Sequence, residues 1–68
     1  MSRQAMQESL RIDLKHQLEA RTISLELHKR ATAVIEKLTV ADWKDIDNMS
    51  TVAASEMVLD IARNFKEL

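Results

Sequence analysis

A chain of 68 residues that contains neither glycine nor proline has few ways to change direction. Those two residues supply most tight turns and helix stops, glycine by adopting positive φ and proline by fixing φ and removing a donor. Without them the least costly architecture is a set of helices joined by short breaks, each capped by a hydroxyl or carboxylate side chain. The sequence therefore predicts an all-α fold, a small bundle of three to four helices forming a single domain over 1–68.

One stretch reads differently. Residues 10–15 (LRIDLK) and 22–27 (TISLEL) alternate apolar and polar side chains, the pattern of a half-buried strand. With 22–27 as a strand and helices after it, the layout resembles that of ribbon-helix-helix DNA-binding regulators, whose paired strands enter the major groove. The outward residues would be Thr22, Ser24 and Glu26, with no Arg or Lys to read guanine. On helical wheels the same runs become Leu10 and Leu14 with Ile12 opposite, and Ile23 and Leu27 with Leu25 opposite. Each false strand thus contains one aliphatic residue that a single apolar face does not absorb.

The helical reading accounts for more of the chain. Met6, Leu10, Leu14 and Leu18 recur at i+4 and predict a first helix over about 3–20. A second register follows, with Ala20, Ile23, Leu27, Ala31, Val34 and Leu38 at coiled-coil-like spacing, predicting a helix over about 22–38. The two stripes differ by about 120°, so the helix either breaks near 20–22 or runs on and uses each face against a different neighbour. Thr39 as N-cap, Asp42 at N3 and Leu38 available to pack on Trp43 predict a short helix over about 40–47. Ser50 is the next N-cap. The helix it opens, about 51–66, has Ala54, Met57, Val58, Ile61, Ala62, Phe65 and Leu68 on one arc, with Ser55, Glu56, Asp60, Arg63 and Lys66 facing out and Leu59 off that face.

Such a chain is near the size at which one core contributes only a few kcal/mol of net stability. It has no cysteine, so disulfides and thiolate metal sites are excluded. A partner remains as the source of extra stability, most simply a second copy. The expected dimer seam is Ile23, Leu27, Ala31, Val34 and Leu38, with the last helix laid over it through Met57, Ile61 and Phe65.

No catalytic, cofactor-binding or metal-ligating residue is expected. His16 and His28 lack an i, i+4 partner, and the cluster Asp42, Asp45 and Asp47 lacks the glycine a calcium loop needs. A glycine-rich phosphate loop is impossible, and no nucleophile, base and acid share a local signature. Residues 1–30 carry six basic and four acidic side chains, whereas 31–68 carry four and seven, within a net charge of -1. The cluster His28, Lys29 and Arg30 with Arg21 is interleaved with Glu19 and Glu26, which suits a solvated flank better than a phosphate-binding face.

The off-face aliphatics Ile12, Leu25 and Leu59, with Trp43 as an anchor, are the candidate partner-binding residues. The expected function is that of a small non-catalytic regulatory or adaptor protein, not an enzyme, binding another protein through an apolar helical surface. No apolar run approaches the roughly 18 residues of a membrane span, and 1–10 is polar, unlike a signal peptide. The expected location is the cytoplasm, away from membranes.

Overall fold

The stripe that starts at Met6 closes into the helix its spacing predicts. The structure, a computed structural model, describes residues 3–64 and consists of α1 (Arg3–Glu19), α2 (Leu25–Lys37), α3 (Val40–Ile46) and α4 (Thr51–Asn64). No strand is present among the described residues. Positions 65 and 66 of the expected last helix, and the expected roles of Phe65, Lys66 and Leu68, lie outside the described residues.

Met6, Leu10 and Leu14 are buried, and Leu18 packs against them partly covered. The helix then stops without a glycine. Arg21 takes the left-handed conformation, φ 63°. Its N–H donates to the Leu18 carbonyl at 3.0 Å, and the Thr22 N–H donates to the Gln17 carbonyl at 2.9 Å. This pair of bonds is the Schellman motif, with arginine at the position glycine usually takes. The Thr22 hydroxyl adds a third bond, to the Gln17 carbonyl at 3.1 Å. Helices α1 and α2 are therefore separate, and the break falls where the two stripes change register.

The ribbon expectation fails at the same place. Ser24 is extended only because it is the N-cap of α2, and its Oγ accepts from the Leu27 N–H at 3.1 Å. Leu25, Glu26 and Leu27 form the first helical turn, so the alternation in 22–27 runs across a connection and into a helix. Helix α2 accordingly starts at Leu25 and not at 22. Ile23, in the connection, is buried nonetheless and closes that end of the core.

The short third helix matches its sequence signals. The Thr39 hydroxyl accepts from the Asp42 N–H at 3.2 Å, and the Asp42 carboxylate accepts from the Thr39 N–H at 3.0 Å, a complete capping box. At the next start, Ser50 Oγ accepts from the Ala53 N–H at 3.1 Å.

Helix α4 packs against both α2 and α1, which also touch each other, so the three longer helices enclose one core. This double contact changes which face of α4 is inside. Ala54, Ser55, Val58, Leu59 and Ala62 are buried, whereas Met57 is only partly covered and Ile61 is exposed. Relative to the arc expected from the sequence, α4 is rolled by about 60°. Small side chains at Ala54, Ser55 and Ala62 let its backbone approach its neighbours closely, and Leu59 fills space that a one-sided helix would leave to solvent.

Candidate interaction surface

Two of the four expected partner-binding residues belong to the interior. Leu59 is buried because α4 is covered on two sides. Trp43 is buried as the core residue of α3, and the Arg3 guanidinium lies 5.7 Å from its ring centre, covering it from solvent. Neither side chain can anchor an external partner without opening the core.

Ile12 and Leu25 are exposed, 55% and 57% respectively. Ile12 sits among Glu8, Lys15 and His16 on the solvent face of α1, one turn away in either direction. Leu25 opens α2 beyond the α1–α2 connection. About two helical turns of α1 separate Ile12 from that connection, so the two side chains occupy different levels of the helical pair.

The expected dimer seam is largely used within the chain. Ile23, Ala31 and Val34 are buried in the chain's own core, and Leu27 and Leu38 pack against it partly covered. Ile35, off the seam, is buried as well, because α2 meets α1 on one side and α4 on the other. The Arg11–Glu36 ion pair, at 3.6 Å, spans α1 and α2 on the surface.

What the seam leaves open is its C-terminal end. Val34 and Lys37 of α2, Leu38 at its C-terminal cap, Asp42 of α3 and Ile61 of α4 line a depression of about 140 Å³. Its floor is aliphatic, and its rim carries one cation and one anion. The roll of α4 creates it, since a helix turned the other way would bury Ile61 and fill the space. Val40, 67% exposed, follows Leu38 by two residues, and half-covered Met57 lies one turn before Ile61. Transfer of a fully exposed Val or Ile into an apolar contact is worth roughly 1.5–3 kcal/mol, and these partly covered side chains can yield a fraction of that each.

Sequence reasoning missed Val40 and Ile61 as surface residues. Val40 had a readable signal, since the first position after an N-cap often faces solvent. Ile61 had none, because its exposure follows from the roll of α4.

Among the described residues no three His, Cys, Asp or Glu side chains are grouped as metal ligands. The solvent face of α4 carries Glu56, Asp60 and Arg63, the last two paired at 3.2 Å. Arg30 of the basic cluster pairs with Glu26 at 3.1 Å. No helix among the described residues is long and apolar enough to cross a membrane. In comparisons with known proteins, no family model, curated protein or solved structure matches the chain.

Proposed function

We propose that this protein is a non-catalytic helical module, a regulator or adaptor in the cytoplasm, that acts by binding protein through its apolar surface. The observation that supports it is the depression at Val34, Leu38 and Ile61, an aliphatic opening that the chain's own helices leave partly uncovered. A groove lined in this way suits an apolar side chain or helix face from a partner. Ile12 and Leu25 are proposed as outlying contacts, for a partner broad enough to reach beyond the depression.

The test compares capture of host proteins by the wild-type chain, by I61E and by the double variant I12E/L25E. All three positions are exposed, so each variant is expected to keep the wild-type far-ultraviolet circular dichroism. Loss of a specific captured protein with I61E supports the reading, and further weakening with I12E/L25E supports the outlying contacts. The same capture with all three baits overturns it. A competing nucleic-acid role predicts a shift of random duplex DNA at low salt. The acidic face of α4 and the Glu26–Arg30 pair support the expectation that no shift occurs.

A further inference from the structure

We propose that the depression is covered by a second copy of the same chain, docked about a two-fold axis so that Lys37 of each protomer meets Asp42 of the partner subunit. This inference rests on the protein-binding reading and names the partner. It follows from the composition of the rim. Lys37 and Asp42 line the same opening around Val34, Leu38 and Ile61. A two-fold axis lying in the plane of the contact, perpendicular to the line from the cation to the anion and crossing it midway, places each charge opposite its counter-charge on the partner subunit. Docking around that axis therefore sets two identical opposite-charge contacts at once, with the aliphatic floor of one protomer over that of the other.

Both side chains can take part. The Thr39 N–H bonds to Asp42 Oδ2, so Oδ1 is available for an ammonium group. An ammonium has three donors, so a bond made by Lys37 within its own chain does not preclude one to the partner subunit. Val40 and Met57 extend the apolar contact around Leu38 and Ile61. A standard interface buries about 800 Å² per partner, which would be roughly a sixth of the 4669 Å² surface of this chain. The depression can supply only the centre of such a patch, so the dimer belongs to the small, weak class of interfaces.

Sedimentation of the full chain from micromolar to near-millimolar concentration tests this. Reversible dimerisation is expected. K37E and D42K each set two like-charge contacts and should weaken it about tenfold, and I61D should abolish it. An equimolar mixture of K37E with D42K is the diagnostic arm, because only a two-fold arrangement pairs opposite charges at both contacts in the mixed dimer. The mixture should recover close to wild-type association.

Asp42 also caps α3, so a thermal melt accompanies D42K. D42N, which keeps an acceptor at the cap, serves if D42K does not fold, and is expected to weaken the dimer without abolishing it. A strict monomer across the whole range overturns the inference, as does a dimer indifferent to K37E and I61D, or a mixture that recovers nothing. If the monomer still captures a different protein through Ile61, the protein-binding reading stands and only its assigned partner falls. If I61E changes neither capture nor self-association, both fall together.

Discussion

Ser55 is buried to 1% exposure, and its Oγ has no hydrogen-bond partner among the described residues. A buried hydroxyl without a partner costs about 1–3 kcal/mol, and serine is a weaker helix former than alanine by a few tenths. The S55A variant should therefore stabilise the protein by about 1 kcal/mol. The measurement is urea unfolding, with the midpoint raised and the slope unchanged. A lowered midpoint would mean that the hydroxyl has a bonding role. The sequence placed Ser55 on the solvent side because patterning takes polarity as a proxy for position. For serine that proxy is weak, since its small volume suits a close helix contact. Leu59 was misplaced by the complementary error. Its offset was visible, but whether an off-face aliphatic meets a partner or the chain's own second neighbour depends on packing that no local pattern contains.

Elements divide by how local their signals are. Helix α3 was legible almost to the residue, because Thr39 and Asp42 bond to each other across three positions and need nothing from the rest of the chain. The jump between stripes marks where α1 and α2 could part but is equally compatible with one continuous helix, and the structure shows that they part and how a glycine-free chain does it. The left-handed conformation of Arg21 carries a penalty of about 1–2 kcal/mol, part of which a glycine would recover after its larger loss of chain entropy. R21G is expected to stabilise the protein by about 1 kcal/mol, with R21A near neutral. Thermal melts of the two variants check it, and equal melting temperatures would show that the backbone there is not limiting. The roll of α4 was not legible. It follows from contact with α1 and α2 together, and the depression at Ile61 was hidden for the same reason.

The whole molecule rests on one small core. Leu10 and Leu14 are completely buried on the single face that α1 presents to it. A Leu-to-Ala change at such a site costs about 2–5 kcal/mol, comparable with the roughly 3–5 kcal/mol that a single core of this size supplies. L14A should therefore be largely unfolded at room temperature, read as loss of helical circular dichroism. Retention of the wild-type spectrum and melting point would show that stability comes from elsewhere, self-association being the first place to look. All-helical organisation was legible from the missing glycine and proline. Which apolar residues close the monomer and which remain outside was only half legible, since Ile12 and Leu25 kept their exposure while Trp43 did not.

The connections that replace glycine turns also govern how quickly the chain can find its shape. They span residues 20–24, 38–39 and 47–50, and each is tied to its own helix ends by bonds over three to five positions. Although α4 reaches back to α2 and α1, most close residue pairs are local in sequence, and helical topologies of that kind fold in microseconds to milliseconds. Newly made chain thus spends little time with Met6, Leu10 and Leu14 open to chance encounters. For the proposed protein-binding role that speed is an advantage, because the depression at Ile61 forms only on a core that has already closed.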